Sequence, residues 1–161
     1  MSAEATSILR DNDQDWIPTP LPGSDGVHLK VIRADPETGR VLARVRFAPD
    51  TRMPRHRHFC RAIAYTLSGA WEYDEGKFYE GDIAWEEPGA EHTPWSDEGA
   101  ELALVFDCDR EEFLENFMPD GSTVIFGMKL LKALEGISES DAAALEMASL
   151  VTVVPPVAAD A

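Results

Sequence analysis

Between residues 27 and 106 the chain is a succession of short apolar runs cut by turn residues, and this pattern leaves few folds open. The runs cover residues 27–32, 41–47, 62–67, 70–73, 82–85 and 100–106. Between them stand Pro36 and Gly39, Pro49 and Asp50, Ser68 and Gly69, Gly76, Gly81, Pro88 and Gly89, and Gly99. Short strands at regular spacing, with Gly or Pro at each turn, predict an all-β sandwich or barrel. Alternation is clearest at Val41, Ala43, Val45 and Phe47, with Arg44 and Arg46 on the opposite face.

The flanks differ in character. Residues 1–25 are polar and carry Pro18, Pro20, Pro22 and Gly23, which suggests a loose arm adding at most one edge strand. Residues 26–119 hold the strand pattern, and residues 120–161 form a C-terminal extension. Residues 110–117 have helical spacing. Residues 123–131 fit either a returning strand or the start of a helix. Residues 138–150 look helical, with Ser138 or Ser140 as N-cap. The closing apolar, Pro-rich tail fits either a crossing to a partner subunit or disorder.

At 161 residues the chain fits one domain that can bury a core without disulfides. Two cysteines do not make a disulfide framework, no basic and apolar leader opens the sequence, and no run is long enough to cross a bilayer. These features predict a cytoplasmic protein. Thirty acidic residues against 14 basic ones give a net charge of −16, a field that repels a phosphate backbone, so nucleic acid is not an expected partner. Arg52, Arg55, Arg57 and Arg61 form a local exception. They are expected to point outwards and pair with carboxylates; a docking surface is the alternative.

His56 and His58 are two residues apart just after a turn. On a strand they share a face and can bind one metal ion. A His-x-His pair alone is a weak signal, because two half-exposed surface histidines read the same way. Residues 81–92 strengthen it, running from Gly81 through a strand and the turn at Pro88 and Gly89 to His92.

These residues resemble the two motifs of the cupin superfamily. Laid on this chain, the first motif falls on Asp50, His56, His58, Ala62 and Gly69, and the second on Gly81, Glu87, Gly89, His92 and Ser96. The three histidines and the glycines at 69, 81 and 89 are in register. The departures are Asp50 for Gly, Ala62 for Glu, Glu87 for Pro and Ser96 for Asn. The resemblance covers about residues 45–107. It implies a cupin double-stranded β-helix, a jelly-roll barrel with a short C-terminal helical segment, and a metal site at His56, His58 and His92.

Ala62 stands where many cupins carry a fourth, carboxylate ligand, and alanine cannot ligate. Three-histidine cupins include the 2,4'-dihydroxyacetophenone dioxygenases and the acetylacetone-cleaving dioxygenases. Residues 64–67 (Ala-Tyr-Thr-Leu) and 69–73 (Gly-Ala-Trp-Glu-Tyr) are similar to the former. Glu86, six residues before His92, matches a glutamate that supports the metal in both groups, implying a proton-handling or ligand-orienting role. Asp74 stands where the acetylacetone enzyme has an arginine, which sets β-diketone cleavage apart. The resemblance implies Fe(II), with Zn, Ni, Mn or Cu also compatible with imidazole ligands. It further implies a small hydroxyketone or diketone substrate with O2 in a carbon–carbon bond-cleaving dioxygenase, and a homodimer or homotetramer. Two other classes stay open: a sensor resembling the anti-sigma-factor cupin domain, although no separate helical domain for seizing a sigma factor is expected here, and a metal-dependent isomerase or lyase.

Of the remaining residues, Cys60 falls on the histidine face by strand parity and is read as a core filler rather than a ligand. Cys108 and His28 are read as structural. Trp71, Tyr73, Trp85 and Trp95 are divided between core and pocket lining, and Glu72, Glu87 and Glu91 are expected to be solvated.

Overall fold

The computed structural model describes residues 5–158, so the first four residues of the arm and the last three of the tail lie outside it. Fourteen strands occur in chain order: β1 (Ile17–Pro18), β2 (Val27–Asp35), β3 (Arg40–Phe47), β4 (Thr51–Arg52), β5 (His56–His58), β6 (Arg61–Tyr73), β7 (Gly76–Tyr79), β8 (Ile83–Glu86), β9 (Glu91–His92), β10 (Trp95–Ser96), β11 (Ala100–Asp107), β12 (Glu112–Phe117), β13 (Thr123–Gly127) and β14 (Thr152–Val154). Helices α1 (Met128–Leu134) and α2 (Glu139–Ala143) follow β13. The strands form two curled antiparallel sheets. The larger runs β1-β2-β3-β11-β6-β10-β4, with β7 and β8 also paired to β6; the smaller runs β14-β13-β12-β5-β9.

Inward faces follow the alternation. Val41, Ala43 and Phe47 of β3, Ala62, Ala64 and Thr66 of β6, and Ala100, Leu102 and Phe106 of β11 are buried. Two apolar clusters fill the space between the sheets. One joins Val31, Phe106 and Phe113 to Met128, Leu130 and Leu134 of α1, so the helix packs its buried face against β2 and β13. The other gathers Val27, Phe47, Trp71, Tyr73 and Leu102. Trp71 satisfies its buried indole by donating to Thr66 Oγ1 at 2.8 Å.

Three expectations need correction. Residues 62–67 and 70–73 are not separate strands: β6 runs through the expected turn. Its pairing with β11 shifts between Glu101 and Leu102, which leaves Leu67 out of register, and two residues on, Gly69, at φ +72°, pairs with Ala100. A Cβ there would lie 2.0 Å from the Gly99 carbonyl oxygen, so the position requires glycine. Residues 110–117 are not helical: Glu112–Phe117 form β12. A register shift between Glu112 and Leu114 leaves Phe113 unpaired, so buried Phe113 and Asn116 stand three residues apart and imitate a helical period. The helix expected over residues 138–150 is the short α2, capped by Ser138, whose hydroxyl accepts from the Asp141 N–H at 3.1 Å, followed by a 3-10 turn over Met147–Ser149. Because α2 buries no side chain, packing does not extend it.

Both alternatives for residues 123–131 are realised, as β13 and then α1. The arm contributes the expected edge strand, β1 against β2. Part of the tail stays on its own chain as β14 against β13.

Candidate metal centre

Local backbone chemistry sets the histidines. Asp50, in the slot of the first motif glycine, adopts φ +56°, a left-handed conformation that Asp tolerates better than most residues. Glu87, Pro88, Gly89 and Ala90 form a tight turn closed by the Ala90 N–H to the Glu87 carbonyl at 3.0 Å, with Gly89 at φ +93°. That turn clasps His58: the Gly89 N–H donates to the His58 carbonyl at 2.8 Å and the His58 N–H to the Ala90 carbonyl at 2.9 Å. Pairing of β5 with β9 sets His56 directly across from His92. Ser96, in the slot of the motif asparagine, is buried and donates to the Ala70 carbonyl at 2.6 Å while accepting from the Gly99 N–H at 2.9 Å.

The result is a convergent cluster. His92 Nε2 lies 3.1 Å from both His56 Nε2 and His58 Nε2, and all three side chains are buried. Glu86 joins them, with Oε2 3.2 Å from His58 Nε2 and Oε1 3.6 Å from His92 Nε2. Glu86 stands directly across from Ala62 in the β8–β6 pairing, so a carboxylate reaches the cluster from the strand next to the one where most cupins carry it. Tyr73 donates its hydroxyl to Glu86 Oε1, and its ring lies flat on His92, with centroids 3.8 Å apart and planes 10° apart.

Burial dominates the electrostatics. Desolvation, reinforced by His92, holds the His56 imidazole down at about 3; desolvation and its two neighbours hold His58 at about 2; desolvation holds His92 at about 4. Desolvation pushes Glu86 up to about 8. Three neutral imidazoles therefore aim nitrogens at one point at neutral pH. His56 Nδ1 is 3.3 Å from the Pro54 carbonyl, a contact that needs the proton on Nδ1 and leaves the Nε2 lone pair facing the centre. His58 Nδ1 is buried without a partner. Crowded lone pairs beside a carboxylate are poorly satisfied by one another and well satisfied by a divalent cation. Imidazole nitrogens bound at about 2.0–2.1 Å and near right angles sit about 3 Å apart, close to the spacing found here. The residues fit a metal ion, and these three histidines are the one such group among the described residues.

Beside the cluster lies an interior cavity of about 110 Å³ between the two sheets. His56, His58, Glu86, Tyr73 and Thr19 supply its polar groups, and side chains such as Val45, Leu102 and Phe126 make the rest apolar, with no Lys or Arg among them.

The other sequence candidates fall outside the cluster. Of the four aromatics, Trp71 and Tyr73 line the cavity, whereas Trp85 is exposed and Trp95 lies under Arg52 on the outside. The parity that would align Cys60 with the histidines breaks at the bend after β5. Its buried thiol instead points at the Phe113 carbonyl, 3.9 Å away. The arginines face outwards: Arg55 pairs with Glu91 at 2.6 Å, Arg57 with Glu115, and Arg61 with Glu87 at 3.1 Å. His28 is on β2, across from Pro18 and Arg46. Sequence reasoning missed the bond from Tyr73 to Glu86, since nothing in the spacing of residues 73 and 86 shows that their strands meet at the histidines.

The ChrR cupin-like domain model matches residues 4–109. This chain belongs to that family. Among solved structures, an RmlC-like cupin from Ralstonia eutropha is 26% identical, covering 75% of this chain and 72% of that one with a TM-score of 0.58. The fold is shared with an acetylacetone dioxygenase from Acinetobacter johnsonii at 19% identity, covering 89% and 92% of the two chains with a TM-score of 0.66. It is also shared with the complex of SigE and the anti-sigma factor ChrR from Rhodobacter sphaeroides, at 23% identity and a TM-score of 0.51 over 61% of this cupin and 52% of that chain. No curated protein matches the sequence significantly. Among the described residues, no helix of this cupin is long and apolar enough to cross a membrane.

Proposed function

We propose that this cupin is a non-haem iron dioxygenase that cleaves a carbon–carbon bond in a small, uncharged hydroxyketone or diketone-like substrate. The observation that carries the reading is the convergence of three neutral imidazoles and Glu86 beside a largely apolar cavity that His56, His58 and Glu86 help to line. His56, His58 and His92 would hold the ion on one face, and Ala62 supplies no fourth ligand. When bound, Fe(II) would supply Lewis acidity toward a chelating enol and redox chemistry toward O2.

The chain's own residues do the rest. Glu86, placed against two of the histidines, is the group positioned to exchange a proton with the substrate. Tyr73 orients that carboxylate. The apolar walls exclude water from reactive species and contain no cation to recognise a carboxylate or phosphate, which favours a neutral substrate. A volume of about 110 Å³ favours a compact aliphatic ketone over a bulky aryl one; for scale, a cavity of roughly 150 Å³ takes benzene.

The test is oxygen uptake by the iron-loaded protein with a panel of hydroxyketones and diketones, beside His92→Ala. Substrate-dependent uptake that disappears in His92→Ala supports the reading, and full turnover in that variant refutes it. A second reading, a zinc-holding sensor, is favoured by the ChrR family match. It predicts stoichiometric zinc and no oxygen uptake with any substrate. A metal-dependent isomerase or lyase would instead convert substrate at equal rates with and without oxygen.

A further inference from the structure

Glu86 poses a question that the three-histidine reading does not answer: what stops it from becoming a fourth ligand. Its two oxygens already lie 3.2 and 3.6 Å from the metal-facing nitrogens of His58 and His92. Ala62, fully buried across the strand pair, offers no bulk to hold it back. At those distances the carboxyl is close enough to a cation held by the histidines to compete with a substrate for it.

We propose that Tyr73 is a positioning residue that keeps Glu86 off the metal and so keeps the three-histidine face open to a chelating ligand. This rests on the metal reading above. The Tyr73 hydroxyl donates to Oε1 of Glu86, the oxygen nearer His92. The phenol cannot swing away. Its ring is stacked on His92 and held edge-on by Trp71 at 4.8 Å and Phe78 at 5.4 Å between centroids. One rigid aromatic thus fixes a ligand by its face and restrains the adjacent carboxylate by its hydroxyl. Removing the hydroxyl alone would leave Oε1 buried without its donor, and a cation held by the histidines would be free to satisfy it.

The experiment uses the full chain loaded with Co(II), whose visible absorption reports coordination. It compares the wild type, Tyr73→Phe, and Tyr73→Phe combined with Glu86→Gln. Tyr73→Phe keeps every ring contact. It is expected to hold Co(II) about tenfold more tightly in competition with a chelator, to change the visible bands, and to bind acetylacetone, used as a bidentate probe, about tenfold more weakly. Adding Glu86→Gln should reverse all three changes. Unchanged or weaker Co(II) binding in Tyr73→Phe overturns the proposal, as does the same shift with Gln at position 86, because the effect would then not pass through the carboxylate. Wild type that binds no Co(II) removes the metal reading and this proposal with it. Wild type that binds Co(II) but never turns over with iron removes only the dioxygenase reading.

Discussion

Replacing Glu86 with glutamine in the metal-free protein should make the stability difference from wild type depend on pH in a calculable way. The carboxyl titrates at about 8 in the fold and near its ordinary value of 4.5 when unfolded, because burial disfavours the charge. Between those limits the native state holds a proton that the unfolded chain has released. Stability from this group is therefore complete below pH 4.5 and is lost as pH rises through 8, at about 1.4 kcal/mol per pH unit. Glutamine has no such loss. Urea unfolding in the presence of a chelator at pH 5, 6, 7 and 8 should show the variant gaining on wild type by that slope, about 4 kcal/mol across the range. The three histidines act oppositely and in both proteins. Their native values of about 2 to 4 lie below the ordinary 6.5, so stability present above 6.5 is lost as pH falls from there toward 4. Wild type without metal should therefore be most stable just below pH 7. A difference between the two proteins that stays constant with pH would refute the reasoning, because Glu86 would then be ionised in the native state and exposed to water.

Two further outcomes follow from the fold. Gly69→Ala should destabilise by about 3 kcal/mol or more in urea unfolding, since the added methyl meets the Gly99 carbonyl at a left-handed backbone position; a loss below about 1 kcal/mol would show that the kink in β6 relaxes easily. Tyr65, Ile83 and Trp85 form an exposed apolar patch on the outer face of paired strands β6 and β8, so light scattering should find a dimer or tetramer of the 17.8 kDa chain that Trp85→Ser weakens; a wild-type monomer would contradict this.

Most of the fold was legible in the sequence because alternation and turn residues are local signals. Val41 to Phe47 read as a strand with one inward face, and that is the face found. The histidines were legible for the same reason: strand parity aligns His56 with His58, and the turn at Pro88 and Gly89 delivers His92. Where reading failed, non-local pairing had overridden a local pattern. Gly69 looks like a turn but is a paired residue inside one long strand, just past the irregularity at Leu67. Phe113 and Asn116 imitate a helix because the bulge in β12 makes Phe113 the extra residue, which breaks the alternation. Cys60 keeps the parity of His56 and His58, yet the bend at Phe59 turns it to other neighbours. The link from Tyr73 to Glu86 joins residues whose meeting depends on how far β6 bends, which a one-dimensional pattern does not carry.

The central claim, that His56, His58 and His92 hold one redox-active metal ion, is tested most directly by the metal content of protein purified without oxygen or chelators. The wild type is expected to hold close to one iron per chain and folded His92→Ala to lose it. Wild type without metal, or an iron content unchanged in that variant, would contradict it.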